Sequence, residues 1–370
     1  MPETSIPPSE IAEAALKELG LRRVSTDDLT IMKVVEGSTV RYVDSRRSKA
    51  VNGFHLKRIE ALVIPPAWTD VRIARDRQAH LQAIGRDDAG RLQYIYHSSW
   101  DDVRSVAKAY RLLELGRALP RLRLGIAADI APPSPAFPLA AAARLVDLAH
   151  LRAGHEAYAG DEGGRGVATL LKRHVKIEGP SIGLSFRGKG GKRIEKTVMD
   201  EPLAVALAEL YQLKGPRLFK LKVDGSARPM TATDLNAYLV KLSRRSVSAK
   251  DFRTLFASAR ALERLQGIER PLSAAARKKL LASVARDIAE ELANTPTITR
   301  KSYIHPVIIE AFEAGELQEP IRTRRRGLSP AEASLVRFLE RYTIGEAGAG
   351  AHQQGTPSPE KALALGERSG

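Results

Sequence analysis

The chain has 370 residues, enough for two domains with separate cores, and its 43% hydrophobic and 28% charged content excludes disorder throughout. A formal net charge of +16 calls for a polyanion, of which nucleic acid is the commonest, against the plainer reading of a cationic surface with no specific partner. The absence of cysteine excludes disulfides, a cysteine nucleophile and thiolate zinc sites, and no apolar run approaches the ~18 residues of a membrane span.

Residues 1–20 read as a polar N-terminal arm with a helical turn or two over 9–19. The stretch 21–97 is short and strand-like: Val40, Tyr42 and Val43 lie in one strand, and 71–74 in another. Residues 80–86 and 91–97 flank Asp87-Asp88-Ala89-Gly90 as the arms of a hairpin, with Leu92, Tyr94 and Tyr96 on one face and Gln93 and Ile95 on the other. Beyond Trp100 the apolar spacing becomes helical, and an apolar helix is predicted over 138–149. A single hairpin is expected in this half, turning at Arg187-Gly188-Lys189-Gly190-Gly191-Lys192, followed by helices over 202–213, 232–242, 250–266 and 273–292. The sequence then carries Arg322 and Arg324-Arg325-Arg326, which read either as a DNA-binding arm or as a solvated basic stretch. A short helix is expected over 330–342, and the Gly/Ala/Ser/Pro-rich end is expected to be disordered.

Five polar residues in the helical half supply the groups for attack on a phosphodiester: Arg152, Lys189, Arg253, Asn294 and Tyr303. That chemistry needs a nucleophile, donors to the charged phosphorane and an acid for the leaving oxygen. Two arginines, a lysine, an amide and a tyrosine supply all three, and no acidic cluster suited to Mg²⁺ stands out. Each has an ordinary reading when taken singly. Arg152 ends an apolar helix, Lys189 sits in a surface turn, and Asn294 precedes Thr295-Pro296 as a helix cap. Arg253 follows a capping-box-like Ser248-x-x-Asp251 and falls off the stripe Phe252, Leu255, Phe256, Ala259 and Leu262, so it is expected to be fixed but free to face a ligand. Tyr303 follows Arg300-Lys301-Ser302 and is expected in a polar, exposed setting.

In order and spacing these motifs resemble the type IB DNA topoisomerases, in the compact form of bacteria and poxviruses. The N-terminal part carries Ile64-Pro65-Pro66-Ala67-Trp68-Thr69-Asp70-Val71 and Gly90-Arg91-Leu92-Gln93-Tyr94-Ile95-Tyr96-His97. The catalytic half carries Leu151-Arg152-Ala153-Gly154 with Tyr158, Phe186-Arg187-Gly188-Lys189, Lys250-Asp251-Phe252-Arg253-Thr254, and Asn294-Thr295-Pro296 with Arg300-Lys301-Ser302-Tyr303. The resemblance spans about residues 21–317. It implies an α+β, bilobed clamp around duplex DNA, with a β-rich domain over 21–103, a mostly α-helical catalytic domain over 104–318 and a basic, low-complexity tail over 319–370.

By the same resemblance, Tyr303 attacks the scissile phosphate to give a 3′-phosphotyrosyl bond. Arg152 and Arg253 hold the non-bridging oxygens, and Lys189 protonates the leaving 5′-oxygen. Tyr158, Gln93, Tyr94 and Tyr96 match positions that touch the duplex, and Arg91, Arg187 and Lys250 in the same motifs are expected DNA contacts. No metal or other cofactor is implied, and relaxation is downhill, so no ATP is needed. The expected state is a monomer on double-stranded DNA, nucleoid-associated in the cytoplasm and away from the membrane. Asn294 stands where many members have histidine; an amide cannot act as a proton donor in catalysis but can hydrogen-bond a phosphate oxygen. Two rivals remain. A tyrosine recombinase typically carries His-x-x-Arg where this chain has Lys250-Asp251-Phe252-Arg253, and a non-catalytic DNA-binding protein leaves the five polar residues unexplained.

Overall fold

A computed structural model describes residues 12–344, except 14, 18, 38, 48, 160–163, 224–225, 269–272 and 318–324. The chain divides into two compact units, Met1–Lys108 and Ala109–Gly370.

The first unit is built on a six-stranded antiparallel sheet of β1 (Ile31–Glu36), β2 (Thr39–Asp44), β3 (Lys49–Ala50), β4 (Thr69–Ile73), β5 (Leu81–Arg86) and β6 (Leu92–Tyr96), in the order β3-β2-β1-β4-β5-β6. A short helix, α1 (Gly53–Ala61), buries Ile59 beside Ile31, Val71, Ile73 and Ala83. This helix is absent from the strand-like reading of the sequence. Its nine residues are too few for a clear apolar period, and only its Asn52 cap, which accepts from His55 N at 3.4 Å, marks its start. The apolar signature 64–68 has a packing role here. A Cβ on Gly85 of β5 would lie 2.7 Å from the Trp68 ring, so glycine leaves room for the indole against the sheet. β6 alternates as its sequence demands, leaving Leu92, Tyr94 and Tyr96 exposed while Ile95 packs inward.

The helix α2 (Trp100–Asp129) carries Pro120 within its 30 residues. The second unit continues with α3 (Phe137–Ala149), α4 (Glu201–Tyr211), α5 (Ala232–Ser243), α6 (Ala249–Leu265), α7 (Ala274–Glu291), α8 (Pro306–Ala314) and α9 (Pro330–Ile344). Two small sheets interrupt the helices, where the sequence suggested one hairpin. One is β7 (Val175–Glu178), β8 (Ser181–Arg187) and β9 (Arg193–Met199), and the other is β10 (Lys220–Val223) with β11 (Ser226–Pro229). The missed strands are only four residues long, and β11 is exposed along its length, so no apolar alternation announces it.

α6 is the centre of this unit. Its buried residues include Phe252, Arg253, Thr254, Leu255, Ala257, Ser258, Ala261 and Leu262, which together occupy more than one stripe. Arg253, expected to be fixed but free to face a ligand, is buried: neighbours pack α6 on several sides, and the residue is 2% exposed. α9 is part of the same core. Ala333, Leu335, Val336 and Leu339 are buried, and a Cβ on Gly116 of α2 would lie 2.4 Å from Val336. The expected tail over 319–370 thus contains a core helix. Its i, i+3/i+4 apolar stripe was legible, but its docking face on α6 and α2 was not. Arg325 of the basic cluster is ion-paired with Glu340 at 2.9 Å, while Arg322, Arg324 and the end expected to be disordered, 345–370, lie outside the described residues.

Candidate active site

Tyr303 sits on an unusual stretch of backbone. α7 ends at Glu291, Ala293 takes a left-handed φ of 47°, and Asn294 N returns to Ala289 O at 2.8 Å. Thr295 then caps the turn Pro296–Ile298, and the chain widens into a π-turn over Thr299–Tyr303, closed by Ile304 N to Thr299 O at 3.0 Å. Wide turns of this kind displace one side chain from the ordinary helical register. The Ser258 hydroxyl of α6 fixes the result: it donates to Tyr303 O at 3.1 Å and accepts from His305 N at 3.1 Å. Tyr303 is 7% exposed, not the exposed tyrosine its basic flanks suggested, because α6 covers it.

Arg253 reaches the same place from the first turns of α6. That helix starts where the Asp251 carboxylate accepts from Ser248 N and Oγ, both at 2.8 Å, and pairs with Arg111 at 3.0 Å. The Arg253 guanidinium lies 4.9 Å from the centre of the Tyr303 ring. It donates to His150 O and, at 3.0 Å, to Leu292 O, carbonyls at the C-terminal ends of α3 and α7. Arg152 follows the left-handed His150 (φ 53°), and its loop is clamped by Val167 N to Arg152 O at 2.9 Å. Glycine is required at position 166, where a Cβ would lie 2.4 Å from Arg152 O. The structure thus brings Arg152, Arg253 and Tyr303 together, although 152, 253 and 303 are far apart in the chain.

The electrostatic consequence is definite. Burial alone would raise the pKa of the Tyr303 phenol, but the charges and hydrogen bonds of Arg253 and Arg152 outweigh it and hold the group below the usual tyrosine value. Arg253 is in turn pushed below the usual arginine range by burial and by Arg152.

Asn294 lies beside this trio and is 9% exposed. Its Oδ1 accepts from Thr295 N at 3.0 Å, while its buried Nδ2 has no hydrogen-bond partner among the described residues. The side chain does not simply cap a helix: it keeps an amide donor in reserve. Lys189 stands exposed at the tip of the β8–β9 hairpin and shows no contact with the other four. The tip itself is anchored. Gly164 passes so close that a Cβ there would lie 2.6 Å from Lys189 N and Cα, and Lys192 Nζ donates to Asn294 O.

The expected DNA contacts fall in both units. Tyr94 and Tyr96 are 45% and 40% exposed and stack with ring centres 6.1 Å apart; Tyr96 stacks in turn on Trp100 at 5.7 Å. Arg91 and Gln93 both donate to the Asp87 carboxylate, at 2.9 and 2.8 Å, so the turn holds them in place. Arg187 and Lys250 are exposed in the second unit. Tyr158 closes the short turn Glu156–Tyr158, and its side chain lies outside the described residues.

Sequence reasoning passed over three residues that build this site. Ser258 holds the Tyr303 backbone, and His150 stacks on Phe256 with ring centres 3.7 Å apart. Lys196 donates to Ala149 O and Glu291 O, both at 2.7 Å, and is pushed down to about 8 by burial, then by Arg253. Only Lys196 left a signal, a lysine in step with inward Ile194 and Val198 on an alternating strand.

Comparison with known proteins shows the family. Residues 97–324 match the family model of the eukaryotic DNA topoisomerase I catalytic core. Residues 39–87 match that of the bacterial DNA topoisomerase IB N-terminal domain. The chain is also similar to a DNA topoisomerase 1B of Acanthamoeba polyphaga mimivirus, 31% identical over 273 residues that cover 70% of this chain and 80% of that protein. With a catalytic-core match over more than half its length and a tyrosine held between two arginines, the chain belongs to the type IB DNA topoisomerases.

Proposed function

We propose that this protein relaxes supercoiled duplex DNA by nicking one strand through Tyr303, letting the cut end rotate, and religating it. The observation that carries the reading is the buried Tyr303 phenol between Arg253 and Arg152, its acidity raised by both. In the forward step the phenol loses its proton to solvent water, its oxygen bonds to the scissile phosphorus, and the bond from phosphorus to the 5′-oxygen breaks. Arg152 and Arg253 stabilise the non-bridging oxygens, and the spare Nδ2 of Asn294 adds a neutral donor. Lys189, from its hairpin tip, delivers a proton to the departing 5′-oxygen. Religation is the reverse, with the 5′-hydroxyl as nucleophile and Tyr303 as leaving group, so neither ATP nor an obligatory metal enters.

In this reading, residues 21–103 form a DNA-holding domain and 104–318 the catalytic domain. The stacked Tyr94 and Tyr96, with Arg91, Gln93, Tyr158, Arg187 and Lys250, contact the duplex. The protein acts as a monomer associated with the nucleoid. No helix among the described residues is long and apolar enough to cross a membrane.

The test is plasmid relaxation by purified protein with EDTA present and ATP absent. Wild type should relax in steps of one linking number, and Tyr303→Phe should lose both relaxation and the covalent adduct while still binding duplex. Adduct surviving in Tyr303→Phe would transfer the nucleophile to another tyrosine. A strict Mg²⁺ requirement would count against the scheme as a whole.

A further inference from the structure

Lys196 lies on the inward face of β9, opposite Leu184 of β8 and between the buried Ile194 and Val198. Placing an ammonium group there is costly unless its donors are satisfied. Two of its three are satisfied by Ala149 O and Glu291 O, the last residues of α3 and α7. The next carbonyls along the same two chain ends, His150 O and Leu292 O, accept from Arg253. Two cations therefore bridge the same pair of helix C-termini, one residue apart at each end. Exposed terminal carbonyls and the negative end of each helix dipole offset the repulsion between them. The two chain ends lead directly into the site: Arg152 stands three residues beyond Ala149, and Asn294 three beyond Glu291.

We propose that Lys196 is a positioning residue for the cleavage step. It locks the ends of α3 and α7 together so that Arg253 keeps its place over Tyr303 and Arg152 and Asn294 face the same phosphate. The proposal rests on the nucleophile assignment above but concerns a residue that touches neither DNA nor Tyr303. Without Lys196, Arg253 is the remaining side chain that the described residues show hydrogen-bonded to both helix ends, and it is then drawn toward whichever carbonyl moves.

The experiment is a double-mutant cycle on single-turnover DNA cleavage. Lys196→Met keeps most of the side-chain volume and removes the donors. It should slow cleavage on the order of 10²-fold, the scale of losing one preorganised donor, with duplex affinity within about threefold of wild type, because the phosphate-contacting cations that set affinity are untouched. The defect should be equal on a substrate whose bridging 5′-oxygen is sulfur, since leaving-group protonation is not at issue. In an Arg253→Ala background the same change should have little further effect, because groups that act as one unit are non-additive. Lys196→Arg should restore part of the rate.

Multiplicative losses in the two backgrounds would overturn the proposal, as would wild-type cleavage by Lys196→Met. If Lys196→Met fails to melt cooperatively, Lys196→Gln, a neutral donor, is carried through the same cycle under the same criteria. Failure of the underlying reading shows elsewhere, as adduct in Tyr303→Phe with the Lys196–Arg253 coupling intact.

Discussion

At the scale of the residue, Tyr303 shows how burial and charge compete. Burial disfavours phenolate, yet two guanidinium groups lower the phenol below its ordinary value near 10. Lowering favours the anion at high pH, so the cleavage rate should rise with pH to an inflection below 10. Arg152→Ala removes one of the lowering charges and should move that inflection upward. A pH–rate profile of single-turnover cleavage measures both, and an unshifted inflection in the variant would remove Arg152 from the activation of Tyr303.

Lys189 is the complementary case. Among the described residues no side-chain contact holds it, so its proposed role depends on reaching a DNA oxygen from the hairpin tip. A lysine ammonium donates a proton where a guanidinium rarely does. Lys189→Ala should therefore lose at least ~10²-fold in cleavage of ordinary DNA. Replacing the bridging 5′-oxygen with sulfur should restore that rate, because a thiolate leaves without protonation. Equal deficits on both substrates would reduce Lys189 to a binding contact.

At the scale of the element, the end of α3 carries its own pH dependence. His150 is half-buried, stacked on Phe256, and held down to about 3 by burial and then by Lys196, Arg253 and other cations. In the unfolded chain histidine takes up its proton near 6.5. The unfolded state thus binds the extra proton first, and stability falls as pH drops from about 6.5 toward 3. The loss is at most about 1.4 kcal/mol per pH unit, the limit for a single proton. His150→Asn tolerates the left-handed φ and cannot titrate. Urea titrations at pH 7.5 and 5 should show it less stable than wild type at the higher pH, through loss of the ring stack, but with a smaller drop between the two. An unchanged drop would place the acid sensitivity elsewhere.

The elements also show what spacing alone reveals. Helices expected over 232–242, 250–266 and 273–292 are found as Ala232–Ser243, Ala249–Leu265 and Ala274–Glu291, because caps at Thr231, Ser248 and Ser273 mark their starts. Strands of four residues left no comparable mark, and the nine-residue helix Gly53–Ala61 left only its Asn52 cap, without a readable apolar period.

At the scale of the whole molecule, the net charge of +16 makes a direct prediction. A protein that covers several phosphates releases their counterions, so duplex affinity should fall steeply with salt, with a log–log slope steeper than about −3. Fluorescence anisotropy at a series of salt concentrations measures it, and a shallower slope would contradict extended contact by both units.

The sequence by itself determined the family and the chemistry. Six motifs in order carry the family resemblance and, with it, the proposed nucleophile, two arginines, lysine and amide, because phosphoryl transfer needs those functional groups and local caps and turns place each on its element. Tertiary structure alone decided their environment. Burial of Arg253 and Tyr303, an Asn294 Nδ2 with no partner among the described residues, and hydrogen bonds from Ser258, Lys196 and Arg253 that span 39 to 103 positions all come from the tertiary fold. Helical and strand periods report which face of an element is apolar. They carry no information on which distant carbonyl or ring will meet that face, and it is those meetings that bury Tyr303 beside two arginines and lower its pKa.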